Sequence, residues 1–207
     1  SETFTGDSFE PLEPVPAGYY YLEVQGADPG AMEYEFSVER LKEGATPEEA
    51  AERYEALNHA FMGEGNPGEA VASLTEVLVA TGGSSMPPMA FELTPGEYLL
   101  SATGEQNFHS PFTVTEAEGA GEAPQADVTV DMFEFAFSIP EEVTAGNQTW
   151  QIQNVGEQIH HMILMRIHED RTVDDVMQFL QTEEGEPPVD EVAYTAILSP
   201  GVSNFMT

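Results

Sequence analysis

Cysteine is absent from this 207-residue chain, and basic residues nearly so. The first absence removes disulfides, zinc–thiolate sites, haem thioether attachment and cysteine nucleophiles together. The second leaves one lysine, Lys42, and four arginines, Arg40, Arg53, Arg166 and Arg171, against 38 acidic residues, a net charge of −33. A surface so acidic repels nucleic acid and anionic membranes, which argues against both as partners. It also repels further copies of itself until salt screens it, the screening length falling to about 3 Å near 1 M. This composition suits a chain adapted to a salty medium (halophilic adaptation) and equally suits an acidic secreted protein. Long apolar runs are missing too, none approaching the ~20 residues needed to span a membrane. No basic leader precedes an apolar stretch, so any signal peptide is expected to have been removed, and the expected location is extracellular or at the cell surface.

Hydrophobic residues make up 41% of the chain, enough for packed cores, so an acidic disordered tail is excluded. The best specified stretch runs from Val143 to Leu180. Trp150 and Ile152 alternate with Thr149, Gln151 and Gln153, as a half-buried strand requires. Asn154-Val-Gly156 reads as a turn, Ile159 to Ile167 as a second strand, and Thr172 with Asp175 as the capped start of a helix.

The same order occurs earlier in the chain. Val15-Pro-Ala-Gly18 matches Val143-Thr-Ala-Gly146, and Tyr21 to Gln25 matches Thr149 to Gln153, at a spacing of 128. Beyond the turn the spacing becomes 126, so that Arg40 falls on Arg166, Glu43 on Glu169 and Thr46 on Thr172. In the first copy Tyr34, Phe36 and Val38 alternate with Glu33, Glu35, Ser37 and Glu39, which predicts one core face and one wet face. Thr46-Pro47 with Glu49 predicts a capped helix with Ala50, Tyr54, Leu57 and Phe61 as its apolar stripe, ended by Gly63. Asn66 opens another helix, whereas Val71 to Ala80 fits helix or strand. Strands are further expected from Tyr98 through Ala102, Phe112 to Thr115, Val128 to Phe137 and Val192 to Leu198, and an edge strand within Ser1 to Pro14. Glu116 to Gln125 is small, acidic and aperiodic, as a linker is. The expected organisation is therefore a first domain over 1–115, a linker over 116–126 and a second domain over 127–207.

Short strands separated by turns, with one helical insertion per unit, argue for a mainly β fold of tandem Greek-key sandwiches. Asn154-Val-Gly156 followed by Ile159-His-His-Met162, and Leu93-Thr-Pro-Gly-Glu-Tyr98, resemble the cupredoxin family. In that family an Asn-x-Gly turn leads to a first copper-ligand histidine, and a P-G-x-Y strand leads to a loop carrying cysteine, a second histidine and often methionine. The resemblance implies two cupredoxin-like sandwiches, each with a short helical insertion. It places the first ligand position at His160 or His161, and in the first copy at Tyr34 and Glu35. Thr207 aligns with Leu93, so the second unit lacks the counterparts of its last two strands. A blue-copper site needs a cysteine thiolate with two histidines, which this chain does not hold by itself.

His160 and His161 are adjacent on an expected strand and so point to opposite faces, which is the arrangement of a core or rim histidine more than of two ligands to one metal. His59, His109 and His168 are scattered. The nine methionines follow strand and helix periods, as core filler does. No nucleophile elbow, phosphate loop or calcium loop occurs, so no catalytic residue is assigned and no enzymatic activity is expected. Ile159, Ile163, Met165 and Ile167 make the second copy's strand apolar on the face that carries Glu33, Ser37 and Glu39 in the first, which marks them as a candidate interface. The expected function is a non-catalytic binding or assembly protein, such as a filament or surface-layer subunit, whose open second sandwich is completed by a neighbouring chain, with no cofactor. The alternative is a metal-handling or electron-transfer cupredoxin relative in which His160 binds copper with ligands from outside the chain.

Overall fold

The computed structural model describes residues 12–22, 35–61, 63–83, 89–103, 107–118, 121–134, 136–182 and 184–207. The edge strand expected near the N-terminus before residue 12, Glu33 and Tyr34, and Met86 lie outside the described residues. The fold is mainly β. In chain order the elements are β1 (Val15–Leu22), β2 (Glu35–Leu41), α1 (Pro47–Phe61), α2 (Pro67–Val77), β3 (Leu78–Gly83), β4 (Met89–Leu93), β5 (Gly96–Thr103) and β6 (Phe108–Glu118). They continue as β7 (Val128–Phe133), β8 (Ala136–Ser138), β9 (Trp150–Asn154), β10 (Ile163–Ile167), α3 (Val173–Thr182), β11 (Val189–Tyr194) and β12 (Ser203–Met206).

Ten strands form one continuous sheet in the order β3-β2-β5-β6-β1-β4-β12-β9-β7-β8, and β10 and β11 form a separate ribbon. β1 turns a corner in this sheet. Its start pairs parallel with β6, Val15 opposite Val114, and its remainder pairs antiparallel with β4, Gly18 opposite Leu93. β4 then pairs antiparallel with β12, Met89 opposite Met206, and β12 with β9. Read from either end, the run β1-β4-β12-β9 has the same form, with the late strands of the two halves meeting in the middle.

The helix starts follow their capping residues. The Asn66 side chain accepts the Gly68 N–H (3.0 Å) ahead of α2, and the Thr46 hydroxyl accepts the Glu49 N–H (3.2 Å) ahead of α1. The Glu49 carboxylate does not complete the box but pairs with Arg53 at 2.6 Å. At α3 the box is complete: Thr172 N–H donates to Asp175 Oδ2 (2.7 Å) and Asp175 N–H to Thr172 Oγ1 (3.3 Å). The ambiguous stretch Val71 to Ala80 is both things in turn, α2 passing directly into β3 at Leu78.

Three apolar clusters hold the molecule. Val38, Phe91, Leu93, Tyr98, Leu100, Phe112 and Val114 fill the first half between its strands. Leu41, Ala50, Leu57, Leu74, Val77 and Leu99 join α1 and α2 to the outer face of β2 and β5. Val130, Met132, Ile152, Met162 and Leu198 fill the second half, and Met89 of β4 is buried among them. Tyr98 returns its hydroxyl to the Thr94 carbonyl at 2.9 Å, which fixes the turn into β5.

Several sequence expectations change. Ser37 and Glu39 are buried, Glu39 to 2% exposure, so of the expected wet face only Glu35 is exposed among the described residues. Alternating charge reads as solvent exposure, but Leu41 shares this face and the two helices cover it. The expected strand Ile159 to Ile167 begins only at Ile163. His160 makes an isolated bridge with Leu198, and at Met162 the carbonyl still accepts the Thr195 N–H (2.9 Å) while the Met162 N–H goes to the Thr195 hydroxyl (2.9 Å), so a side chain replaces one bond of the ladder there. Val128 to Phe137 is a hairpin of β7 and β8, the strand expected over Val192 to Leu198 is β11 at Val189–Tyr194, and β12 adds a strand not foreseen.

The internal repeat is legible in the pairing. β2 with β3 and β10 with β11 are antiparallel, and each pair slips register once, between Val38 and Glu39 and between Leu164 and Met165. Those positions are 126 residues apart, the spacing that relates Arg40 to Arg166. The two strands differ in company: β2 lies between β3 and β5, whereas among the described residues β10 pairs with β11 alone.

Candidate functional site

Six of the exposed large apolar residues, Ile163, Ile167, Val173, Met177, Leu180 and Val192, lie on β10, β11 and α3. None of the five residues of β10 is buried, against five of seven in β2. Ile163 (39% exposed) stands opposite Tyr194, and Ile167 (37%) opposite Val189, with half-buried Met165 between them. On the other face Leu164 packs against the core. Arg166 Nη2 meets Asp190 Oδ2 at 3.0 Å, and His168 Nε2 lies 3.1 Å from the other oxygen. Arg166, then His168, hold the Asp190 carboxyl below its ordinary range by these hydrogen bonds.

Beside this ribbon in sequence, α3 carries Val173, Val176, Met177 and Leu180 at the i, i+3, i+4, i+7 spacing of one helical face. Val173 (63% exposed), Met177 (51%) and Leu180 (57%) of that stripe are open, and α3 has no buried residue. An amphipathic helix with its apolar stripe uncovered is unsatisfied by its own chain. Sequence reading named the β10 residues but not this stripe, although its spacing was available.

Ile159 stands apart from Ile163, Met165 and Ile167. It lines a groove of about 670 Å³ between α2 and the second half, with Lys42, Val71, Thr75, Gln158 and Pro200. His160 is half-buried at the neighbouring corner. Its Nε2 is 3.6 Å from Glu134 Oε1, too long for a hydrogen bond, and that nitrogen has no partner. The corner is organised by Asn154, whose amide donates to the carbonyls of Gln158 (2.7 Å) and Leu198 (2.8 Å) and accepts the Gly156 N–H (3.0 Å). A Cβ at Gly156 would stand 2.9 Å from His160 Nε2 and 2.6 Å from Glu134 Oε1, so a larger residue there would displace these two side-chain ends. His161 is exposed and does not share this corner. Glu134 and His160 together offer two donors, and among the described residues no three His, Asp or Glu side chains converge.

A second polar cluster lies under α1. Glu39 Oε2 accepts a hydrogen bond from Ser101 Oγ (2.9 Å), and that oxygen is also 2.9 Å from His109 Nδ1. Ser37 Oγ bonds the Tyr54 hydroxyl (3.2 Å), and the Tyr54 ring meets His109 edge to face at 5.8 Å. Burial pushes the Glu39 carboxyl up to about 7, Ser37 and Ser101 opposing the rise, and burial lowers His109. A hydroxyl has one proton to give. With Glu39 ionised, Ser101 donates to it and His109 Nδ1–H donates to Ser101; with Glu39 protonated, both bonds reverse. Ser101 is fully buried and sits between acid and imidazole, so it is not placed as a nucleophile. Sequence reading gave His109 no role and put Glu39 on a solvated face. Only the coincidence of β2, β5 and β6 brings these residues together.

Comparison with protein-family models, curated proteins and solved structures finds no match, so both the surface and the cluster rest on the chemistry of this chain alone.

Proposed function

We propose that this chain is a non-catalytic binding and assembly protein of the extracellular or cell-surface kind, built from two cupredoxin-like Greek-key sandwiches without a complete copper site. The observation that carries the reading is β10, which among the described residues has one neighbouring strand where its counterpart β2 has two, and has no buried residue. An open strand edge beside uncovered apolar side chains is a template for another chain. The exposed stripe of α3 enlarges the area on offer. The acidic surface sets the condition, since association of chains at −33 needs screening. Size-exclusion chromatography with light scattering, run from 0.05 to 3 M NaCl, is expected to give a monomer at low salt and larger species as salt rises. A monomer throughout overturns the assembly reading.

A further inference from the structure

We propose that the occupant of the edge of β10 left open among the described residues is β10 of a second copy, paired antiparallel about a twofold axis through Met165. The inference rests on the assembly reading above and adds the partner and the register. The fold already seats an antiparallel strand at this position, since β5 lies against β2 on the edge that β10 leaves open. It also already joins its two halves by antiparallel pairing of their late strands, β4 with β12.

The sequence of β10, Ile-Leu-Met-Arg-Ile, is self-complementary in one register. Residues opposite each other in an antiparallel pair share a face. A twofold axis through Met165 sets Ile163 against Ile167 of the second copy and Met165 against its own equivalent, so that six apolar side chains form one unbroken row. On the other face Leu164 meets Arg166. An axis through Arg166 would oppose two guanidinium groups, and an axis through Leu164 would leave Ile167 without a partner. β10 carries no acidic residue, and the charge of Arg166 is met by Asp190. The repulsion between copies therefore comes from flanking Glu169, Asp170 and Glu191 and from the rest of the surface, which salt screens. Pairing of this kind is isologous and closes at two copies.

Because the chain has no cysteine, a single introduced thiol reports the register. Met165→Cys, treated with a short bismaleimide in 3 M NaCl, is expected to give mostly covalent dimer, at least tenfold more than in 0.05 M NaCl. Val155→Cys, at an exposed turn away from the ribbon, is expected to remain monomeric. Wild-type protein that never exceeds a monomer by light scattering overturns both this inference and the assembly reading. Wild-type protein that associates while Met165→Cys cross-links no better than Val155→Cys overturns the β10 pairing and leaves assembly standing. Should Met165→Cys not fold, hydrogen exchange on the unaltered chain decides. The amides among residues 163–167 that face away from β11 are expected to slow at least tenfold between dilute and concentrated protein in high salt, and unchanged rates overturn the pairing.

Discussion

Glu39 is a carboxyl group placed where its charge is costly. Its proton affinity is raised from 4.5 to about 7 by burial, so between those values the folded chain keeps a proton that the unfolded chain has released. The sign follows directly: this residue makes stability fall as pH rises from about 4.5 to about 7, after which its effect is constant. Glu39→Gln keeps an acceptor for Ser101 and removes the charge. It is expected to be more stable than the wild type at pH 8, on the order of 2–3 kcal/mol, with the two converging near pH 4. Urea unfolding at pH 4, 6 and 8 measures this, and equal stabilities at pH 8 would show that the buried carboxylate is solvated or paired. Nothing in the alternation of Phe36, Ser37, Val38 and Glu39 announces this residue, because the pattern encodes which way a side chain points and not what covers it. The corner around His160 is local by contrast, since Asn154 and Gly156 build it within seven residues of sequence.

At the scale of elements, local chemistry was the readable part. Both helix starts of the first half and the complete box at Thr172 and Asp175 are where their side chains put them. α3 depends on that box more than the other helices do, since no residue of it is buried and packing contributes little. Asp175→Ala is therefore expected to destabilise α3, visible as faster amide exchange over residues 173–182 with no change at α1. Equal exchange in the two proteins would mean that packing and not the cap holds the helix. What the sequence concealed were the pairings made by side chains in place of backbone. The start of β10 is displaced to Ile163 by the Thr195 hydroxyl, a residue more than thirty positions away. The short β12 was missed because Ser-Asn-Phe-Met offers no alternation long enough to read, and only its neighbours β4 and β9 make it a strand.

The whole molecule is held together across the expected domain boundary. Met89 of β4 is buried in the apolar cluster of the second half. Asn204 donates to the Thr81 carbonyl at 2.9 Å, and the Ser199 hydroxyl accepts the Ala80 N–H at 2.9 Å. The two halves are thus expected to unfold in one transition, followed by Trp150 fluorescence and far-ultraviolet circular dichroism together, and residues 122–207 alone are expected not to fold cooperatively. Two separated transitions in the full chain would show that each half is self-sufficient. The spacing that relates Arg40 to Arg166 was readable, and the register slips of β2 and β10 fall at it, but the joining of the halves was not, because a strand's partner leaves no mark on its own sequence.

The pairing of Met89 with Met206 also has a consequence in time. More than a hundred residues separate these strands, so β4 is synthesised long before the segment that covers its outer edge exists. Loop closure over that distance is slow, and a nascent chain meanwhile presents β4 unpaired and Met89 without its core. Premature contact between growing chains would then occur at β4, an edge that the finished molecule never shows, and the rate at which residues 203–206 find it sets how much of the protein escapes that fate.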